Sequence, residues 1–219
     1  LNYKGVLIND KYHIGLSNML NQNEKGYIHV EGHIKIFDPI SNEVFINKRN
    51  AIHYENFSIA LAGAMSNQDS GFIGEMCFGN GGTSIDPTGI ITYRTPNTIG
   101  AEAALYNQTY NKSVDPKRSS NNDPARNYME VRHRAGAFYS DILVSCLLDF
   151  GEPRDQLAFD NETNNQGQYV FDEIGLKSYS AGGVGSLLTH VIFHPVQKSL
   201  NRLIQIDYTV RIQSLSSGT

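Results

Sequence analysis

Tryptophan is absent from these 219 residues, cysteine occurs twice, and charged residues make up only 18%. Each shortage excludes something. Two cysteines, Cys77 and Cys146, cannot build a disulfide framework. Both lie in apolar runs, Met76-Cys77-Phe78 and Val144-Ser145-Cys146-Leu147. Buried free thiols are therefore expected, in a protein made in a reducing cytoplasm. The net charge is −4, with lysine and arginine thinly spread. No basic stripe exists to release counterions from a nucleic-acid backbone, so direct DNA or RNA binding is not expected. The densest basic step, Lys117-Arg118, sits in a Ser/Asn/Asp loop and reads as solvated. No apolar run approaches the ~18 residues of a membrane span, so no membrane contact is expected. The opening Leu1-Asn2-Tyr3-Lys4-Gly5 lacks the basic-then-apolar layout of a secretory signal.

Motifs for catalysis and cofactors are missing as well. Gly79-Asn80-Gly81-Gly82 lacks the Lys-Ser/Thr ending of a phosphate loop, and no helical pattern follows it. It reads as a structural turn whose glycines supply positive φ. There is no Gly-x-Ser-x-Gly. His190 and His194 are four apart, as are His29 and His33, but in strand-like sequence. Such pairs stand about 13 Å apart at ~3.3 Å per residue, too far for one metal. His53 and His133 are isolated. Glu75, Asp172 and Glu173 invite an acid/base reading. Asp172 and Glu173 are adjacent in a strand, however, and should point to opposite faces. Glu173 is expected to be a half-buried carboxylate that satisfies turn amides or pairs with an arginine. No residue is assigned a catalytic, cofactor-binding or metal-binding role, and no enzyme is expected.

What the chain does contain is strand pattern. Hydrophobic residues make up 40%, and much of the remainder is Asn, Ser, Thr, Gln and Gly. That suits a loop-rich β protein. Tyr27 to Phe37 alternates, Asp38 to Glu43 is turn chemistry, and Val44 to Ile46 returns as a hairpin. Residues 54–66 change period: Phe57, Ala60, Leu61, Ala64 and Met65 mark one helix face. Strands are read at 72–78, 128–134, 138–150, 169–177 and 187–194. A hairpin-like unit is read at 83–93, around Asp86-Pro87-Thr88-Gly89. In the last strand Ile204, Ile206, Tyr208, Val210 and Ile212 face one way and Gln205, Asp207, Thr209, Arg211 and Gln213 the other. Polar loops are expected at 107–128 and 151–168. The expected fold is mainly β: an antiparallel β-sandwich with one amphipathic helix and long loops. The expected organisation is an N-terminal arm (1–27, with a short helix near 16–20), a single domain (28–213) and a C-terminal tail (214–219). The arm and the 107–128 loop have too little apolar periodicity to hold themselves in a core. They are expected to need partner surface.

The order of elements resembles that in structural proteins of tailed-bacteriophage virions, of the neck, collar, tail or baseplate attachment type found in contractile-tailed phages. The residues that carry the resemblance are Asn50-Ala51-Ile52, the helix from Tyr54 to Met65, Phe78-Gly79-Asn80-Gly81, Glu173-Ile174-Gly175-Leu176, and the run Leu187 to Lys198. The resemblance covers most of residues 30–213. It implies assembly and not catalysis: a subunit of a ring or attachment point, homo-oligomeric, in contact with other virion proteins. It also implies residence in the virion, assembled in the bacterial host cytoplasm. A capsid decoration protein and a carbohydrate-binding module are the alternatives. The absence of tryptophan, a favoured sugar-stacking platform, counts against the latter.

Overall fold

In the computed structural model, residues 26–68, 71–153, 168–180 and 185–216 are described. The expected helix at 16–20 and most of the 151–168 loop lie outside them. Twelve strands and one α-helix are present among the described residues. Two five-stranded antiparallel sheets face one another, with one short hairpin outside them.

The first sheet has the order β2-β1-β12-β9-β8. Its strands are β1 (Gly26–Phe37), β2 (Val44–Arg49), β8 (Tyr128–His133), β9 (Tyr139–Leu148) and β12 (Ile204–Ser216). The β1–β2 hairpin turns on Asp38, whose carboxylate accepts the amides of Ile40 (2.8 Å) and Ser41 (3.1 Å). Those amides hold the Asp38 carboxyl below the usual range. Asn42 takes the left-handed conformation, φ 62°, that asparagine tolerates. β12 runs between β1 and β9, and Ile204, Ile206, Tyr208 and Val210 are fully buried as their alternation requires. It pairs as far as Ser216, opposite Gly26. Strand therefore occupies the first three residues assigned to a tail, and β1 begins inside the supposed arm.

The second sheet has the order β3-β11-β10-β4-β7. Its strands are β3 (Ala51–Ile52), β4 (Ile73–Gly79), β7 (Gln108–Ser113), β10 (Gln168–Ser178) and β11 (Leu187–Ser199). The chain passes between sheets at Asn50, whose amide donates to the Gly32 carbonyl (3.1 Å). The core between the sheets joins Val30, Ile34, Ile36, Val144 and Val210 to Met76, Phe78, Phe171, Leu176 and Val191. Cys77 and Cys146 are buried free thiols, and burial pushes both up to about 12. Burying this apolar set is the main driving force for the fold.

Two expectations are corrected here. Residues 107–128 hold strand β7 and a loop tied down by its own polar groups. The Asn121 amide donates to the carbonyls of Asp115 (3.2 Å) and Asn127 (2.7 Å), and Asn127 Oδ1 accepts from the Leu147 amide (3.0 Å). Arg118 is not simply solvated: it pairs with Asp115 and stacks 3.6 Å over the Tyr179 ring. Side-chain hydrogen bonds thus hold this segment where apolar periodicity does not.

The second correction concerns the helix, α1 (Tyr54–Met65). His53 is its N-cap, accepting the Asn56 amide at Nδ1 (3.2 Å). It buries Asn56, Phe57, Ala60 and Gly63, while Met65 is exposed and Leu61 half-buried. The expected apolar stripe at 57, 60, 61, 64 and 65 is therefore only partly used.

The core opens at one end. On the inward face of β1, Ile34 and Val30 are buried, but Ile28 is 61% exposed. On β12 the same face runs from buried Val210 to half-buried Ile212, and on β8 Val131 is 70% exposed. Here the first sheet outruns the described residues that pack against it.

Candidate functional site: a hairpin clamped by buried carboxylates

The residues with the most chemistry converge at the other end, where β4 leaves the sheet through Gly79-Asn80-Gly81-Gly82. The next residues form β5 (Thr83–Ile85) and β6 (Ile91–Tyr93), paired in register Thr83↔Tyr93, Ser84↔Thr92 and Ile85↔Ile91. This is the hairpin-like unit expected at 83–93. Its turn is built by Asp86, whose Oδ1 accepts the amides of Thr88 (2.8 Å) and Ile90 (3.0 Å) and the Thr88 hydroxyl (2.6 Å). The Thr88 hydroxyl and the Ile90 amide hold the Asp86 carboxyl below its usual range. Gly89, at φ 87°, closes the turn. Ile85 is 64% exposed, Ile90 63%, and Tyr93 is exposed as well.

The base of this hairpin is fixed by two adjacent carboxylates on β10. Asp172 accepts the amides of Gly82 (2.9 Å) and Thr83 (2.8 Å), and also the Thr83 hydroxyl. Glu173 is wholly buried. Its Oε1 accepts the amides of Gly81 (3.1 Å) and Asn107 (2.8 Å), and its Oε2 accepts the Tyr106 amide and His190 Nε2 (both 3.0 Å). Glu173 thus receives four donors, as many as a carboxylate readily accepts. The expectation that Glu173 satisfies turn amides holds. Its side-chain partner is a histidine, however, not an arginine, and it is fully rather than half buried.

Asp172 and Glu173 were expected on opposite faces, yet both serve the same turn. The β10–β11 register slips between Phe171 and Glu173, where Phe171 pairs with Val196 but Glu173 with Ile192. That irregularity re-aims one side chain, as bulges do beside binding sites. Glu75, the third acid weighed, lies opposite Lys177, four positions along β10, and accepts from Asn111 (2.9 Å). It takes no part in the clamp.

His190 was considered only as a metal ligand. Its Nδ1 accepts the Asn97 amide (2.8 Å), so Nε2 carries the proton given to Glu173. Both ring nitrogens are engaged. His194 is exposed, with its Nδ1 3.3 Å from the Tyr93 hydroxyl. No group of three or more metal-ligating side chains occurs among the described residues.

The two carboxyls shift in opposite directions. Burial raises Asp172 against the pull of Thr83 and Gly82, and the neighbouring Glu173 charge adds to the rise. Burial also pushes Glu173 up, but the His190 N–H and the amides of Asn107 and Tyr106 outweigh it, and its carboxyl sits below the usual range.

The glycines of the turn serve close approach rather than positive φ. None of Gly79, Gly81 and Gly82 has positive φ, contrary to expectation. A Cβ on Gly79 would lie 2.5 Å from Glu173 Oε1, and one on Gly81 2.7 Å from the Asn107 nitrogen. Donors that a phosphate would need are taken by the chain's own carboxylates.

The segment from Arg94 to Tyr106, unassigned in the sequence, covers the outer face of the second sheet. Leu105 and Ala103 pack there on Cys77 and Leu187. The Gly100 carbonyl meets His53 Nε2 (2.9 Å).

A second buried polar cluster lies at the same end. Lys198 is fully buried and donates to the carbonyls of Glu152 (2.8 Å) and Ser199 (2.7 Å). Burial lowers it to about 8. Nearby, Lys112 pairs with Glu152 (2.5 Å), and Arg126 with Asp123 (2.5 Å) and Asp149 (2.6 Å), around a polar cavity of about 630 Å³. These charges answer one another. Among known proteins, no family model, curated protein or solved structure matches the chain.

Proposed function

We propose that the chain is a structural subunit of a bacteriophage virion, placed in the neck, tail or baseplate, that works by protein–protein contacts. The phage assignment rests on the order of sequence elements alone. The assembly reading is supported by one observation: a hairpin with exposed Ile85, Ile90 and Tyr93 whose base is clamped by buried carboxylates. Isolated two-stranded hairpins are marginal in water, so a rigid apolar one is useful as a docking element. Holding it in advance removes ordering cost from the binding step. The buried titratable groups beside it are engaged with each other and with backbone, which suits a scaffold.

The test is complementation of a phage lacking this chain with the Ile85→Asp, Ile90→Asp double variant. Expected are a folded protein and particles that lack it by mass spectrometry. Normal incorporation and normal titre would overturn the reading.

A carbohydrate-binding module is the second reading. The polar cavity lined by Tyr110, Asn121, Asn122 and Arg126 favours it. Saturable binding in a glycan array, lost in Asn122→Ala, would support that reading over the first.

A further inference from the structure

The end of the sandwich remote from the hairpin carries an apolar groove of about 280 Å³. Phe57, Leu61 and Ala64 of α1 form one wall, and Met129, Val131, Ile142 and Ile212 of the first sheet form the other. Phe138, 79% exposed, stands in the β8–β9 turn with its carbonyl on the Ser214 amide of β12 (2.9 Å), and Ile28 continues the bare face on β1. This is where the unused half of the helix stripe points. An apolar cavity of roughly 150 Å³ already suffices to bind benzene. A groove nearly twice that size has room for two branched aliphatic side chains.

We infer that this groove receives the Ile85–Ile90 hairpin of a second copy of the same chain, in a head-to-tail contact. Three observations carry the inference. First, the hairpin offers two exposed isoleucines on a fixed turn, and the groove offers unfilled hydrocarbon. Second, the two lie at opposite ends of β4: Ile73 lines the groove and Gly79 opens the turn. They are about 20 Å apart at ~3.3 Å per residue, so one molecule cannot satisfy itself. Third, a charge pair is available, since Glu130, the acidic residue that lines the groove, is already paired with Arg132. Asp86 at the hairpin tip keeps its carboxylate ionised. Arg134, exposed in the β8–β9 turn, has no ion-pair partner among the described residues. Knob and hole on different surfaces make a heterologous contact, which closes into a ring or extends into a filament instead of stopping at a dimer. The inference takes from the preceding reading only that the hairpin docks on protein.

The experiment is light scattering on the full chain at rising concentration, with two variants at exposed positions. Wild type should grow beyond dimer. Ile90→Asp spoils the knob and Val131→Asp spoils the hole, so each alone should remain a 24.3 kDa monomer. An equimolar mixture still holds one good knob and one good hole. It should form a one-to-one dimer and nothing larger. Arg134→Asp should weaken wild-type association a few-fold, and Arg134→Lys should retain it.

A monomeric wild type overturns the inference, as does a mixture that stays monomeric. Loss of association by Val131→Asp but not by Ile90→Asp would give the groove another occupant and also overturns it. None of these outcomes bears on whether the hairpin docks on a different virion protein, which particle incorporation decides separately.

Discussion

At the Gly79 end of the sandwich, Glu173, Asp172, His190 and Lys198 are buried, and each finds its donors or acceptors within the chain. At the Ile73 end, Ile28, Val131 and Phe138 are exposed, and a groove beside α1 is left unfilled by the described residues. The two ends follow different physics. Buried polar groups are directional and costly to leave unpaired, so the Gly79 end tolerates one geometry. Apolar surface is non-directional, so the Ile73 end folds uncovered and can take a partner later without breaking a hydrogen bond. One end specifies position, and the other supplies contact area.

The sharpest way to break this contrast is Glu173→Gln. Whichever way the glutamine amide turns, its NH2 meets two N–H donors: Gly81 and Asn107, or Tyr106 and His190. Two buried donors then lose their acceptor, at about 1–3 kcal/mol each, so the expected cost is roughly 2–6 kcal/mol. Urea unfolding measures it, and amide exchange should rise most in the hairpin. A loss under 1 kcal/mol would mean that the clamp is slack.

Lys198 gives a pH signature at the same end. Its folded value, about 8, lies below the ordinary 10.5. Between those pH values the unfolded chain binds more protons, so stability rises with pH, by roughly 3 kcal/mol in total. Below pH 8 both states are protonated, and the charged, buried form is the less favourable one. Wild type should therefore gain on Lys198→Met between pH 7 and pH 10. Parallel stability curves for the two proteins would remove the buried cation from the account.

A smaller effect is expected at the turn. Gly81→Ala pushes a methyl against Asn107 and Tyr106, at a cost of about 1–3 kcal/mol. The melting temperature reports it. Since φ is not positive there, the penalty comes from crowding by Tyr106 Cβ and Asn107, so Tyr106→Gly, which removes that Cβ, should recover part of it and Tyr106→Ala should not.

The smallest effect belongs to the open end. Val131→Ser should change stability by no more than ~0.5 kcal/mol, because the side chain is already in water. A loss above 2 kcal/mol would show that the isolated chain covers this face, and the two ends would no longer differ.

Sequence legibility followed the same division. Alternation in β12 and β1, the Asp38 turn and the span of α1 were readable because they are local patterns. The partners of Glu173 were not, because Gly81 and Asn107 lie 92 and 66 positions away. No local feature links His190 to that acid either. The register slip at Asp172 defeated a strict two-residue period. Strand β7, Gln-Thr-Tyr-Asn-Lys-Ser, carries almost no apolar signal and pairs because β4 offers it an edge. The helix stripe was read correctly as apolar, but apolar character does not say whether a surface is covered.

The position of β12 also sets an order of events in time. During synthesis the β1–β2 and β8–β9 hairpins can each close by themselves, since each is local in the chain. They cannot join, because β12 lies between them and pairs with both β1 and β9. Until residues 204–216 are made, Ile34 and Ile36 on one hairpin and Val144 and Leu148 on the other have no strand between them. From the completion of β9 at Leu148 until β12 begins at Ile204, the nascent chain therefore carries two separate sticky faces, an interval in which aggregation competes with folding. Joining them closes a contact across most of the chain's length, a slow step for any β protein. A chain that stops before Ile204 would hold every strand of the second sheet but only two unjoined hairpins of the first.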